Sequence, residues 1–227
     1  MFEYETVLSG YILAPALVTC QTSFVLCSFP MAKRVLGKKT KLLEERDGFK
    51  FRGGHVALDF AATLAARLRP SPRELLVEPS DLARWLLAAQ LTDTAPRVTP
   101  TDLRTARALR ESIYSLALAR SRRRALSEEA RRQLNAVAAA ESAAPQLGPE
   151  GLIHLAGNAA ALLSSIAREA IILLGNERAQ RVRQCDGEGC ALFFLDTSRS
   201  GERRWCSMAG CGNKSKIAEF RRRQRLS

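Results

Sequence analysis

Four cysteines near the carboxyl end constrain the fold more than any other feature of the sequence. They form two Cys-x4-Cys pairs with fifteen residues between the pairs. The residues inside each pair are small or turn-forming, so both thiolates of a pair can point into one tetrahedron. Four thiolates are a ligand set that favours Zn²⁺ over hard cations. The spacing therefore predicts one structural zinc ion bound by Cys185, Cys190, Cys206 and Cys211.

Two other uses of these cysteines are disulfides and an iron–sulfur cluster, which four cysteines also allow. Disulfides fit poorly, because the sequence shows no secretion signal. The chain has only two histidines, His55 and His154, so a histidine-rich metal centre cannot be built. The remaining cysteines, Cys20 and Cys27, are expected to be unpaired thiols.

The residues around the cysteine pairs predict a treble-clef zinc finger. We expect a short strand over residues 192–195, a turn over 197–201, a returning strand over 203–205 and a helix over 214–225. In such a finger the metal replaces the core that about 45 residues cannot supply. The aromatic and aliphatic side chains expected to form the small remaining core are Phe193 or Phe194, Trp205, Ile217 and Phe220.

The middle of the chain predicts a helical region, because apolar residues recur at helical spacing from Gly53 onward and β-branched runs are absent. Its core must consist mainly of Leu and Ala. Ser80 and Ser127 are the expected N-caps of two helices, and a left-handed turn at Gly175-Asn176 is expected to end another. The predicted helices cover residues 56–68, 81–91 and 101–121, a segment after Ser127, and residues 158–174, with a linker over 142–151.

The net charge of +12 is concentrated in two segments. Residues 31–52 hold eight Lys/Arg and three acids (+5), and residues 177–227 hold twelve Lys/Arg and six acids (+6). This excess argues for a polyanionic partner, with nucleic acid first and an acidic membrane surface second. The candidates for phosphate contact are Arg203, Arg204, Lys214, Lys216, Arg221, Arg222 and Arg225. The candidates for reading base edges are Asn213, Gln224 and one of the arginines.

Residues 1–50 are expected to be a disordered extension, or an upstream translation artefact with Met31 as the real start. Residues 6–32 carry no charge, so a membrane segment or a signal peptide has to be weighed. The run lacks a preceding basic region, and Gly10 and Pro15 lower its suitability as a spanning helix. We therefore expect no membrane partner and a cytoplasmic location.

No catalytic arrangement of residues stands out, so the chain is not expected to be an enzyme. His55 follows a glycine pair and is expected to cap or to form a hydrogen bond, whereas His154 is expected to be a linker residue. Arg122, Arg123 and Arg124 follow one another at a predicted helix end. They could contact phosphate, but a solvated face that complements the negative helix C-terminus is the favoured interpretation.

Several motifs make the sequence similar to a known bacterial family. The runs RWCSM at 204–208 and CGNK at 211–214, with FLDTS at 194–198, resemble the CGNR-type zinc finger. Upstream, GGHVALDF at 53–60 resembles the opening of the ABATE domain that precedes this finger. The resemblance implies a helical ABATE-like domain over 51–176, followed by the finger over 177–227. Lys214 replaces the arginine of the CGNR motif, which keeps the charge but loses a bidentate phosphate fork.

The family is described as transcription regulators, so the resemblance implies metal-dependent DNA binding. The first hypothesis is a DNA-binding regulator whose helical domain senses a ligand or a partner. A zinc-structured RNA- or ribosome-associated protein fits the charge equally well. A third hypothesis is a zinc-dependent protein-interaction adaptor that binds no nucleic acid. The expected fold class is mainly α, with a small α+β finger at the carboxyl end.

Overall fold

Helices make up about half of the computed structural model, which describes residues 44–149 and 151–225. The prediction of a mainly α fold with a small four-cysteine region at the carboxyl end is confirmed. No helix in the described ranges has both the length and the apolar character needed to cross a membrane. The helices of this part of the chain are α1 (Val56–Ala61), α2 (Pro79–Ala88), α3 (Pro100–Ser121), α4 (Glu128–Ala139), α5 (Ala159–Gly175) and α6 (Asn213–Gln224).

Polar caps fix where the long helices begin. Ser127 accepts a hydrogen bond from the Ala130 amide, so the predicted cap of α4 is confirmed. Asn158 caps α5 in the same way. The predicted N-cap Ser80 is wrong, because Glu78 is the N-cap of α2. Proline at the next position has no amide hydrogen to satisfy and is pre-organised for the first helical turn, so the helix starts before Ser80.

Two helix ends differ from the prediction. Helix α1 stops at Ala61 instead of residue 68, because the Thr63 hydroxyl donates to the Phe60 carbonyl and the chain turns into a strand. The predicted left-handed turn at Gly175-Asn176 is also wrong. Asn176 is extended and accepts a hydrogen bond from the Arg178 amide, which starts a short 3-10 turn. A left-handed residue instead follows α3, at Arg123 with φ +52°.

The strands are short and form antiparallel pairs that lie beside the helices. Residues 142–151, expected to be a linker, contribute a strand to one of these pairs, and the Leu155 amide of its partner donates to the Leu91 carbonyl. The pairs in the described part of the chain are β1 (Glu45–Arg46) with β2 (Phe49–Lys50), β3 (Leu64–Ala65) with β4 (Arg73–Glu74), β5 (Ala144–Leu147) with β6 (Ile153–Ala156), and β7 (Val182–Gln184) with β8 (Phe193–Leu195).

The core lies between helices α1 to α5 and consists mainly of Leu and Ala, as predicted. Trp85 and Phe60 are fully buried and meet edge to face, with ring centroids 4.8 Å apart. Each such aromatic side chain contributes about 1.5–3 kcal/mol through burial alone. Val182, Phe193 and Leu195 belong to the same core, so the zinc-finger region packs directly onto the helical region.

The folded region begins before residue 51. Residues 44–50, expected to be disordered, contain the β1–β2 hairpin, and Phe49 is buried in the helical core. Asp47 pairs with Arg84 of α2 at 2.8 Å, which fixes the hairpin tip. The apolar Phe49 explains the difference, because burying its ring offsets the entropy of ordering the segment. The remaining residues assigned to the extension, including Cys20, Cys27 and Met31, lie outside the described residues.

Candidate metal centre and its basic surroundings

The first cysteine pair follows directly from strand β7. The Cys185 amide donates to the Leu192 carbonyl, and the Cys190 amide donates to the Gly187 carbonyl, which closes a tight knuckle between the two sulfurs. The strand predicted at 192–195 is confirmed as β8. Its partner, however, is β7, which precedes the knuckle. The first two ligands therefore lie in the connection between the two paired strands.

The predicted returning strand over 203–205 is not formed. A buried carboxylate holds this segment instead: Asp196 accepts hydrogen bonds from the Ser198 and Arg203 amides, both at 2.9 Å. Burial alone would raise the pKa of Asp196, but the hydrogen bonds from Ser198 and Arg203 outweigh it and hold the pKa below its ordinary value. The chain then returns to the knuckle through the Arg204 carbonyl, which accepts from the Asp186 amide.

The four predicted zinc ligands come together in one cluster. The sulfurs of Cys185, Cys190, Cys206 and Cys211 all lie within 4.8 Å of one another. Zn–S bonds of about 2.3 Å at tetrahedral angles place the sulfurs about 3.8 Å apart. The Sγ atoms of Cys206 and Cys211 are 3.7 Å apart, far beyond a disulfide bond. The cluster therefore fits a single structural zinc ion with four thiolate ligands.

Contacts among the cluster cysteines shift their pKa values in opposite directions. The neighbouring Cys190 and Cys206 thiols, and to a smaller extent the Cys206 and Gly187 amides, lower the pKa of the Cys185 thiol to about 2. The contact with Cys185 in turn raises the pKa of Cys190 to about 11. Without a cation, one thiolate in the cluster makes it harder for its neighbour to ionise. A bound divalent cation overcomes this effect because it stabilises every thiolate at once.

Gly187 is required by the packing of the knuckle. A Cβ at this position would lie 2.9 Å from both Cβ and Sγ of Cys211 and 3.4 Å from Sγ of Cys185. The prediction that small residues inside the pairs let the sulfurs converge is therefore confirmed at this position.

A wide π-type turn carries the last ligand into helix α6. It spans Met208–Gly212, and the Gly212 amide donates to the Ser207 carbonyl. The Ser207 hydroxyl donates a hydrogen bond of 2.8 Å to the Glu44 carboxylate. The same carboxylate forms an ion pair with Arg52 at 3.0 Å. Sequence reasoning missed Glu44 as a support of the finger, because it lies 163 residues away in a segment expected to be disordered.

The expected small core of the finger is only half correct. Phe194 is fully buried beside Leu192 and the sulfurs of Cys185 and Cys206, with Trp205 packed against them. Phe193 points the other way and packs against Tyr114 of α3, with ring centroids 5.1 Å apart. Ile217 and Phe220 do not take part, since they are 51% and 61% exposed.

The GGHVALDF motif joins the helical region to the finger. The Gly53 carbonyl accepts a hydrogen bond from the Leu195 amide of β8. The Gly53 amide in turn donates to the buried carboxyl of Asp59 at 2.7 Å. His55 caps α1 by accepting from the Ala57 amide, and its Nε2 lies 3.4 Å from Glu169, so its predicted capping role is confirmed.

His154 and the arginines 122–124 lie in a strand and at a helix end. His154 is in strand β6 and not in a linker, with Nδ1 3.0 Å from Asp93. Arg122, Arg123 and Arg124 follow the C-terminus of α3 and are exposed, as expected for residues that complement a helix end.

Two of the arginines predicted to contact phosphate are engaged within the finger. Arg203 lies over the Phe194 ring and donates to the carbonyls of Trp205 and Cys206. Arg204 pairs with Asp186 at 2.9 Å. The other predicted residues lie exposed on or beside α6: Asn213, Lys214, Lys216, Arg221, Arg222 and Arg225.

The structure adds basic residues that sequence reasoning missed. A cleft of about 630 Å³ separates the first turns of α6 from the hairpins of the helical region. Its basic lining residues are Lys50, Arg52, Arg69, Arg73 and Lys214, and two acids of the knuckle, Asp186 and Glu188, also line it. Arg69 packs so closely on the knuckle that a Cβ on Gly189 would lie 2.8 Å from its Nε. The only available signal was the charge excess over 31–52, which contains Lys50.

Comparison with known families agrees with this architecture. Residues 54–177 match the ABATE family, described as "Putative stress-induced transcription regulator", and residues 181–224 match the CGNR zinc finger. No curated protein matches the chain. The fold and the four-cysteine site define a helical protein with a structural zinc finger. The chain belongs to the ABATE family of proteins that carry a CGNR zinc finger.

Proposed function

We propose that this protein is a cytoplasmic bacterial transcription regulator, without enzymatic activity, that binds duplex DNA through its zinc finger. Helix α6 carries the proposal, because it buries none of its residues and begins beside a zinc ligand. Helices in proteins gain most of their stability by packing an apolar face. A helix that lacks such packing and is held by a metal site is suited to enter a partner's groove.

The charges on α6 favour a polyanion. Lys214, Arg221 and Arg225 fall within one narrow face at about 100° per residue, and Arg222 lies beside them. None of these four forms an ion pair with another described residue, whereas Arg223 pairs with Glu219. Like charges on one helix face repel each other, and phosphate groups remove that repulsion.

The basic cleft extends this surface onto the helical region. Lys50, Arg69 and Arg73 of the helical region line the same cleft as Lys214, so both regions can contact phosphates of one backbone. The basic residues of the lining outnumber its two acids, Asp186 and Glu188. These contacts supply affinity without sequence preference. Asn213, exposed at the start of α6, is the candidate for base readout.

The helical region is proposed as the sensor or partner-binding part of the regulator. The hydrogen bond from Leu195 to Gly53 and the packing of Phe193 against Tyr114 join it to the finger. A change in the helical core would therefore be transmitted to the strand that precedes the last two zinc ligands. The family description as a stress-induced regulator supports this division of labour.

DNA binding is tested by titrating zinc-loaded protein with a duplex of mixed sequence at several salt concentrations. The triple variant Lys214→Gln, Arg221→Gln, Arg225→Gln should bind more weakly, with a salt slope lower by roughly 0.9 for each phosphate that is no longer neutralised. The matched control replaces Arg97, Arg131 and Arg132, which are exposed outside the finger. Equal weakening in both variants, or no binding at low salt, would contradict the proposal, as would a preference for structured RNA.

One observation favours the adaptor function as a second candidate. Ile217 and Phe220 lie on the same exposed side of α6, and exposed apolar groups at three-residue spacing are typical of helices that dock into a protein groove. Replacing both with Ser separates the two functions. DNA binding should survive this change, whereas an adaptor would lose its protein partner in a pull-down from the source cells.

A further inference from the structure

A second basic site lies away from the zinc cluster, at the joined ends of α3 and α5. A cavity of about 1140 Å³ opens there between the end of α3, the 3-10 turn Glu177–Arg181 and strand β7. Its charged lining residues are Arg120, Arg123, Arg124, Arg178, Arg183 and Glu177.

None of the six charged lining residues forms an ion pair with another residue in the described ranges. The charge of Arg183 nevertheless acts on the buried Asp196 carboxyl and helps to lower its pKa. Arg120 and Arg183 donate only to backbone carbonyls, those of Leu174 and Gly201. The side chains of Arg123, Arg124 and Arg178 have no hydrogen-bond partner among the described residues.

Helix ends account for only part of this charge. Arginines after a helix complement its C-terminus, which carries roughly half a negative charge. The ends of α3 and α5 together contribute about one negative charge, and Glu177 contributes a second. Asp196, on which Arg183 acts, contributes a third. Against five guanidinium groups, a surplus of about two positive charges remains. Four of the five arginines are exposed, so water screens much of their mutual repulsion, but the site still attracts anions.

Arg123 is held in an unusual backbone conformation. It has φ +52°, and its amide donates to the Arg120 carbonyl while the Arg124 amide donates to the Ala119 carbonyl. This hydrogen-bond pattern is the Schellman motif, in which glycine normally occupies the left-handed position. The same motif ends α2, where Gln90 takes the left-handed position with φ +58°, so the conformation fixes the course of the chain beside the cavity and is not by itself a sign of a ligand.

We propose that this cavity binds a small molecule that carries two or more phosphate groups. Guanidinium groups form forked hydrogen bonds with phosphate oxygens, and about two surplus charges favour a ligand with more than one phosphate group. The volume is large enough for a ligand of this size. A concave cavity suits a compact ligand, whereas a duplex needs an extended surface.

The cavity is also connected to the metal centre. Arg183 lies in strand β7, two residues before Cys185, and its neighbour Gln184 contacts Arg122 of the α3 end at 3.4 Å. A ligand that draws Arg183 towards the ends of α3 and α5 therefore acts on the strand that positions the first zinc ligand. Binding itself does not depend on whether the finger contacts DNA.

The test is calorimetric titration of the full-length, zinc-loaded protein with inorganic triphosphate at about 50 mM salt. Saturable binding at one site is expected. The double variant Arg123→Gly, Arg178→Gln should weaken binding by about tenfold or more, since it removes two charged hydrogen-bond donors. Glycine suits the left-handed position, so this variant should keep its thermal midpoint and its bound zinc.

The matched control is Arg97→Gln, Arg131→Gln, which changes the charge equally at exposed positions outside the cavity. It should bind triphosphate within about twofold of the parent, because distant charges are screened. The proposal is overturned if triphosphate does not saturate, if both variants lose affinity equally, or if equimolar sulfate displaces triphosphate. It is also overturned if the cavity variant weakens binding of a short DNA duplex but not of triphosphate.

Discussion

The amide of Leu195 donates a hydrogen bond to the carbonyl of Gly53 over 2.8 Å. This bond joins the strand that follows the zinc knuckle to the loop that opens helix α1. On the other side of the loop, the Gly53 amide donates to the buried carboxyl of Asp59. One glycine therefore connects the finger strand with a buried acid of the helical core.

Replacing Gly53 with Ala should destabilise the whole fold. A Cβ at this position would lie 2.8 Å from Leu58 Cβ, which is attached directly to the α1 backbone, and 3.0 Å from Asp59 Oδ1, which is buried and accepts from the Gly53 amide. We expect a loss on the order of 1–3 kcal/mol, measured by urea unfolding. Gly175→Ala is the control, because no atom lies within 4 Å of its Cβ and α5 favours Ala. Equal stability of the two variants would show that the space around Gly53 relaxes.

Gly187→Ala should reduce zinc affinity without removing a ligand. The new Cβ would lie 2.9 Å from the Cys211 sulfur and push the last thiolate out of the tetrahedron. Zinc affinity should fall by about tenfold or more, measured by competition with a chromophoric chelator. Cys190→Ser and Cys206→Ser should show the largest loss of zinc affinity, since each removes one thiolate ligand. Wild-type affinity in Gly187→Ala would contradict the packing of the knuckle, and full zinc content in a serine variant would contradict the ligand assignment.

Removing zinc should also destabilise the helical region. Phe193 and Leu195 lie in the helical core, and their strand β8 pairs with β7, which leads directly into the zinc ligand Cys185. A chelator should lower the midpoint of helix unfolding, measured by circular dichroism, by roughly 5–10 °C. The same chelator should have no further effect on a Cys185→Ser variant. A helical transition that keeps its midpoint would mean that the core does not need the finger.

Asp59 should make the protein less stable as the pH rises from about 4 to about 7. Burial raises its pKa from 3.8 to about 7, against the opposing effects of the Gly53 amide and Arg46. Between these values the folded state binds a proton that the unfolded state has released, so stability falls with increasing pH. The full effect is present above the folded pKa and amounts to at most about 4 kcal/mol.

Asp59→Asn isolates this contribution, because the amide oxygen can still accept from Gly53. The stability of wild-type protein minus that of the variant, measured by urea unfolding at several pH values, should decline between pH 4 and 7 and then level off. Acids with lowered pKa values, such as Asp196, act in the opposite direction in the acid range and cancel in this difference. A difference that does not change with pH would show that Asp59 stays ionised in the folded protein.

The metal ligands and the long helices were predictable because their signals are local. Cysteine spacing identified the cluster, and Ser127 indicated the start of α4. Helix α1 was predicted too long, because Leu68 continues the apolar spacing although it is 59% exposed. The periodicity of a short segment does not reveal the turn that Thr63 makes with Phe60.

Residues far away in the sequence determine which strand pairs with β8 and whether the apolar side chains of α6 are buried. Strands of three residues carry too little pattern to identify a partner, so residues 203–205 were favoured over Val182–Gln184. Ile217 and Phe220 have the spacing of core residues, but Tyr114 of the helical region already covers Phe193. Phe193 of the finger packs against the helical region and not against α6, and no local sequence pattern indicates such a contact.

The contact between Phe193 and Tyr114 limits how this finger can be reused. A zinc module that needs only its metal in order to fold can be transferred between proteins as a cassette. This finger also carries an aromatic side chain, Phe193, that must pack against a residue outside the finger. Any chimera must therefore carry α3 and the Gly53 loop along with the cysteines, so that the unit of exchange is nearly the entire folded chain.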